Sequence, residues 1–182
     1  MKQINNKITL SSFAALFCAM VTIFILAFHL PSGAGGYIHL ADGIIYLAAA
    51  ILPMPYAVFA ASVGGGLADF LSGYPVYIIP TFLIKAMLVP LFSSKNREKI
   101  LTKRNLVAIF LAFFVTVGGY AITDFVLSFY LYGYTFEASF ASMLTTLSGN
   151  TIQAAASAVI FVLVGSVFDK SNIKAKLPIY SK

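Results

Sequence analysis

The chain has 182 residues, of which 60% are hydrophobic and 10% charged, and its mean hydropathy is +0.91. A water-soluble domain of that composition would expose large apolar patches, so the bilayer is its solvent and a separate soluble domain is excluded. The net charge of +6 does not signal nucleic acid, because eleven of the twelve basic residues lie outside the long apolar stretches, where topology and anionic headgroups account for them.

Roughly 20 helical residues cross the ~30 Å hydrocarbon core, so the length accommodates about six spans with short loops. The spans are expected at 8–30, 39–53, 55–72, 76–92, 105–132 and 145–168. The first follows a short basic start, as a signal peptide would, but it runs from Ile8 to Leu30 and is read as a retained helix. Ser11, Ala15 and Ala19 recur every four residues in it, a stripe that serves either packing within the bundle or docking of a second membrane protein. The lone cysteine, Cys18, lies in the same run, and one thiol builds neither a disulfide framework nor a Cys-based metal site. The glycine-rich stretch Pro31–Tyr37 suits a lid over an outward-facing site or a plain flexible connector.

The second and third spans are short, and Leu52-Pro53-Met54-Pro55 separates them because proline lacks the amide donor and clashes with the preceding turn. Gly64, Gly65, Gly66 and Ala68 crowd the third, which allows close approach of neighbouring helices. The fifth is long enough to tilt or project beyond the membrane. No solenoid repeat or inverted-repeat symmetry is visible, which disfavours a secondary carrier of that design. Basic residues occur at every second boundary: Lys2 and Lys7, then Lys95, Arg97, Lys99, Lys103 and Arg104, then Lys170, Lys174, Lys176 and Lys182. The loops Pro31–Leu40, Ser72–Pro75 and Gly133–Ala141 carry none. By the positive-inside rule this predicts an all-α membrane protein, a six-transmembrane-helix bundle with both termini cytoplasmic, as a single integral membrane domain over residues 1–182.

Ionisable groups in hydrocarbon are paired or functional, and here they gather at one side of the membrane. Counting from the expected outer ends, His39 and Asp42 sit at the mouth of the second span and Asp69 about one turn inside the third. Asn150 and Gln153 come one to two turns into the sixth, with Asp124 and Lys85 roughly 12–14 Å down. A one-sided polar pocket fits capture of an external solute, whereas a channel needs polar lining across the full thickness. Lys85 is expected to pair with Asp69 or Asp124, either pinning two helices or addressing a ligand. Asp42 is read as accepting first-turn amides beside His39, and Asn150 with Gln153 either grips a ligand from one helical face or bonds between helices. Tyr37, Tyr74, Tyr77, Tyr120, Tyr130 and Tyr132 cluster near outer ends as an interfacial belt, with Tyr77 and Tyr120 deep enough for stacking on a flat heterocycle.

No Walker-type loop occurs, so ATP hydrolysis would have to come from a partner. The carboxylates are too scattered for a membrane phosphotransferase, and Ser148 lacks the setting of a rhomboid-like nucleophile. An enzyme is therefore not expected.

Tyr37-Ile38-His39-Leu40-Ala41-Asp42, Gly64-Gly65-Gly66-Leu67-Ala68-Asp69 with Ser72-Gly73-Tyr74-Pro75, Thr81 through Ile84-Lys85, and Gly149-Asn150 with Gln153 together resemble the substrate-binding S components of energy-coupling factor (ECF) vitamin transporters. The resemblance covers nearly the whole chain and is strongest to the branch of riboflavin, pyridoxine and hydroxymethylpyrimidine S components. It implies a six-helix bundle in a bacterial cell membrane that binds a vitamin from outside. The bundle would dock on a membrane coupling protein (EcfT-type) and two ABC ATPases, with no cofactor of its own. The stripe with Ala15-xxx-Ala19 resembles the family's docking motif, which makes Ser11, Ala15 and Ala19 partner-docking candidates. Lys85, Tyr77 and Thr81 on helix four, Tyr120 and Asp124 on helix five, and Asn150 and Gln153 on helix six become substrate-binding candidates, joined by His39 and Tyr37, with the Gly33–Tyr37 loop as gate. Asp42 and Asp69 are expected to organise helix ends. The absence of tryptophan lowers the weight on thiamine itself.

The expected ligand is a pyridoxine-like or hydroxymethylpyrimidine-like compound first and riboflavin next, delivered by toppling of the loaded bundle driven by ATP in the partners. A freestanding membrane carrier and a membrane-embedded enzyme are the alternatives.

Overall fold

A computed structural model of the chain describes residues 2–28, 30–31 and 37–180, with side chains from residue 6 onward. The architecture is all-helical apart from one two-residue ladder. Helix α1 covers Lys2–Ala27 and ends earlier than expected, because Leu30–Pro31 (β1) pairs antiparallel with Tyr37–Ile38 (β2) in the register Leu30↔Ile38. Proline is tolerated there, since a two-residue edge strand does not need its missing amide.

Helix α2, Asp42–Ile51, is apolar on all sides after its first residue, and every one of its residues is buried. A helix without a polar face belongs in a core, and ten residues rise only about 15 Å. It stands at the centre, touching α1, α3 (Met54–Leu71), α4 (Ile78–Leu88) and α6 (Phe136–Lys170). The break expected at Leu52–Pro55 is present, with Pro53 extended (φ −57°, ψ 145°) ahead of α3 and Pro55 in its first turn, where no amide donor is needed. Single turns of 3₁₀ helix at Pro75–Tyr77 and Val89–Leu91 extend α4 at both ends.

Helix α5, Lys103–Val126, passes into a π-helical turn over Leu127–Leu131. Helix α6 begins nine residues before the expected span, inside the stretch read as a loop. Thr135 caps it by accepting the Ala138 amide at 3.2 Å, and Glu137 lies in its first turn, where the helix dipole favours negative charge. A short α7, Ile173–Lys176, follows Asn172, whose left-handed φ of 49° turns the chain back. Four segments are long and apolar enough to cross a membrane: Asn6–Ala27, Met54–Leu71, Lys103–Leu131 and Phe136–Lys170. Asp42–Ile51 and Pro75–Leu91 are shorter apolar helices.

Close approach explains the glycines of α3. A Cβ on Gly64 would stand 2.8 Å from the Cys18 carbonyl oxygen of α1, and one on Gly65 would stand 2.9 Å from Thr81 Cγ2 of α4. In hydrocarbon, where apolar contact supplies no drive over lipid, such backbone proximity supplies the dispersion that holds helices together.

Opposite the hairpin, side chains close the ends of the bundle. Lys174, fully buried, donates to the carbonyls of Ala50 (2.6 Å), Lys99 (3.4 Å) and Ser94 (3.5 Å). Tyr180 donates to the carbonyls of Ile51 and Ser94, so the free carbonyls at the end of α2 are satisfied by the C-terminal segment. Asp169 accepts the amides of Ile100 (2.6 Å) and Leu101 (3.0 Å), and Asn105 bridges Ser93 and Ile100 through three bonds.

Two predictions follow for this end. Asn105→Ala removes those three bonds and strands their partners, so unfolding in detergent should show a loss of about 2 kcal/mol. Burial lowers the Lys174 ammonium to about 8, opposed by Asp169, while burial raises the Tyr180 phenol to about 12. Between pH 8 and 10 the unfolded chain then holds the extra proton on Lys174 and stability rises with pH. Above the ordinary tyrosine value of 10.0 the folded chain holds the extra proton on Tyr180 and stability falls. The thermal midpoint should therefore peak near pH 10, losing its rising limb in Lys174→Met and its falling limb in Tyr180→Phe.

Candidate ligand-binding site

At the hairpin end, α3, α4, α5, α6 and β2 surround one small cavity. It is lined by Tyr37, His39, Asp69, Tyr77, Thr81, Tyr120, Asp124 and Asn150. Residues that are far apart in sequence meet here because the five elements converge around the top of the short central helix. Its free volume of about 20 Å³ has room for about one water molecule.

The walls are built as tyrosine–carboxylate pairs. Tyr37 donates to Asp69 Oδ1 at 2.5 Å, which ties β2 to the end of α3, and Tyr77 donates to Asp124 Oδ1 at 2.8 Å, which ties α4 to α5. Thr81 and Tyr120 share a hydroxyl–hydroxyl bond of 3.2 Å across α4 and α5. Tyr74 packs on Tyr37 with ring centroids 4.9 Å apart and meets Tyr77 edge-on at 6.4 Å, so the aromatic wall continues outward from the cavity. Tyr130 and Tyr132 are exposed and stay outside the cavity.

Two lining atoms have no hydrogen-bond partner among the described residues: Asp69 Oδ2 and Asn150 Nδ2, both buried. A buried polar atom left unbonded costs roughly 1–3 kcal/mol, and native folds rarely carry two around one cavity without something to bond them.

Lys85 does not reach the cavity. Its Nζ lies 2.5 Å from Asp42 Oδ1 with both side chains fully buried, and the same ammonium sits 5.1 Å from the centroid of the Tyr120 ring. The pairing expected with Asp69 or Asp124 is thus corrected to Asp42. Those two carboxylates are engaged by Tyr37 and Tyr77, and the burial of α2 puts Asp42 where the lysine stem ends. Asp42 is correspondingly not a surface helix cap. Its carboxylate accepts from Lys85 and, at 3.2 Å, from Gln153 Nε2 instead of first-turn amides. Gln153 also accepts the His39 amide through Oε1 at 3.0 Å, and His39 Nδ1 accepts the Ala41 amide at 3.2 Å. Lys85, Asp42 and Gln153 therefore form a floor that fixes α4, α2 and α6 to one another beneath the cavity.

With the early start of α6, Asn150 and Gln153 lie about four to five turns along that helix. Asp69, expected only to organise a helix end, lines the cavity with a free oxygen. Its signal was the single carboxylate one turn inside an apolar helix. The gate expected at Gly33–Tyr37 lies outside the described residues except for Tyr37. On α1, Ser11, Ala15 and Ala19 are all exposed, on a face turned away from α3. Among the described residues no group of three His, Cys, Asp or Glu side chains is placed to hold a metal ion.

Lys85→Met would leave the Asp42 carboxylate buried without its counter-charge and should lower stability by about 3–5 kcal/mol. Adding Asp42→Asn should restore most of that loss, as read by thermal unfolding of the two variants in the same detergent.

No curated protein matches the chain. A family model described as ECF-type riboflavin transporter, S component, matches residues 5–170. That match spans every element that builds the cavity and its floor, and the chain belongs to this family of vitamin-transporter subunits.

Proposed function

We propose that this protein is the substrate-binding subunit of an ECF-type vitamin importer in a bacterial cell membrane, and that the tyrosine-lined cavity takes a flat heterocyclic vitamin from outside. The observation that carries the reading is the pair of buried, unbonded atoms, Asp69 Oδ2 and Asn150 Nδ2, among three tyrosine rings. An acceptor and a donor spaced around aromatic surfaces match the rim of a nitrogen heterocycle with hydroxyl substituents. Riboflavin stands first, because the family description names it. The small volume of the closed cavity favours a single-ring compound such as pyridoxine or hydroxymethylpyrimidine as the second reading.

The protein forms one integral membrane domain of six spans with both termini in the cytoplasm. The spacing of basic residues supports that topology. So does the burial of His39 and Ala41, which lets non-helical backbone complete the passage begun by the short α2. Loading requires Tyr37 to release Asp69 so that the hairpin moves away from α3. Tyr77, Thr81, Tyr120, Asp124 and Asn150 then contact the vitamin, together with His39, while Lys85 and Gln153 support them from below. The exposed Ser11, Ala15 and Ala19 face meets the EcfT-type coupling protein, two ABC ATPases supply the energy, and toppling of the loaded bundle delivers the cargo.

Calorimetric titration of the purified chain should show stoichiometric riboflavin binding, weakened about tenfold by Tyr120→Leu through loss of ring stacking. Binding of pyridoxine or hydroxymethylpyrimidine with none of riboflavin would replace the first reading by the second. Ala15→Trp should stop uptake into cells while leaving binding intact. Uptake that persists without the ATPases would establish a freestanding carrier.

A further inference from the structure

A groove lies between the end of α4 and the first three turns of α5, far from the tyrosine cavity. It holds about 500 Å³ and is lined by Pro90, Leu91, Lys103, Arg104, Val107 and Leu111, with Ala108 at its base. Its shape follows from the two helices. The 3₁₀ turn containing Pro90 ends α4 abruptly, while α5 continues beside it, so a notch remains along the longer helix.

The groove is amphiphilic along its length. Lys103, Val107 and Leu111 are four apart and therefore stack on one face of α5, with Arg104 beside them. Lys103 and Arg104 are exposed at the mouth, and Val107 and Leu111, 61% and 46% exposed, form a bare apolar wall over about 6 Å of helix. The two cations make no ion pair among the described residues, where Lys85–Asp42 is the only one. Among the described residues Arg104 bonds only the Pro90 carbonyl, at 3.4 Å, which steers its guanidinium over the notch with its other donors unengaged there. An adjoining cavity of about 250 Å³ shares Pro90 and Arg104 and adds Lys95. No carboxylate lines either space.

We infer that this groove binds an anionic phospholipid, its phosphate between Lys103 and Arg104 and one acyl chain along Val107 and Leu111. A free phosphate would use the cations and leave the apolar wall bare, and a zwitterionic lipid would use the wall and bring its own positive charge to the cations. A diacyl lipid of net negative charge satisfies both ends at the depth where α5 enters the membrane. The inference needs α5 to be a membrane span and does not depend on which vitamin is carried.

The test uses the full chain in detergent, titrated with palmitoyl-oleoyl phosphatidylglycerol or the matching phosphatidylcholine and followed by native mass spectrometry. Phosphatidylglycerol should bind about thirtyfold more tightly, and Lys103→Gln with Arg104→Gln should remove most of that preference, bringing its affinity to the phosphatidylcholine value. Lys170→Gln, a basic residue of α6 outside the groove, should leave the preference unchanged, and excess glycerol phosphate should not displace the lipid. Equal binding of the two lipids, a preference that survives the double substitution, or displacement by glycerol phosphate would each overturn the inference. Should the double variant unfold, the exposed single substitution Lys103→Glu provides the same reading, with loss of preference expected and its retention contrary.

Discussion

Lys85 reaches from α4 to Asp42 on the central helix through surroundings from which water is excluded, and the geometry of the molecule is organised around that contact. Two charges so placed tolerate little error. Separated, each would carry a desolvation penalty of several kcal/mol, and together they need further hydrogen bonds to be satisfied. Gln153 supplies one of these from α6, and the face of the Tyr120 ring covers the ammonium from α5. The lysine stem passes so near α3 that a Cβ on Gly65 would lie 3.2 Å from Lys85 Cγ. One ion pair therefore fixes the relative positions of five helices, and the cavity above it inherits its shape from them.

The central helix also explains why charged side chains gather at its two ends and leave its middle without any. A ten-residue helix buried on all sides has end groups that neither water nor its own ladder can satisfy. At its start Asp42 is neutralised by Lys85. At its finish the carbonyls of Ala50 and Ile51 are met by Lys174 and Tyr180. Between these ends lie small and aliphatic residues, with Tyr46 stacked on Phe92 at 4.7 Å. The end where α2 finishes has its polar groups paired by side chains and amides. The cavity at the other end leaves an acceptor and a donor open, and the proposed function rests on this difference between the two ends.

Much of this was legible in the chain. Hydropathy and proline placement gave the helices, because burial in lipid forces backbone groups to bond within each segment. Seven of the nine residues picked as ligand candidates do surround one cavity, since an ionisable or amide group in an apolar helix has few reasons to be there. The sequence misled where partners had to be chosen. Lys85 was matched with Asp69 or Asp124 on the assumption that Asp42 lay at a membrane surface, and only the burial of α2 shows otherwise. The start of α6 was missed because Phe136–Ser142 is less apolar than the rest of that helix, while its cap, Thr135, is a local signal that hydropathy does not register.

The sequence by itself determined the solvent, the helical class, the punctuation between helices and the kind of residue that lines the cavity. Each of these depends on local composition and on the cost of placing polar groups in hydrocarbon. The tertiary structure decided which charge meets which, which helix is buried at the centre, and that a tyrosine cavity, an ionic floor and a basic groove stand at separate levels of one bundle. Those are consequences of packing, in which a glycine at a crossing or a helix too short to reach the surface sets distances between residues that composition cannot relate.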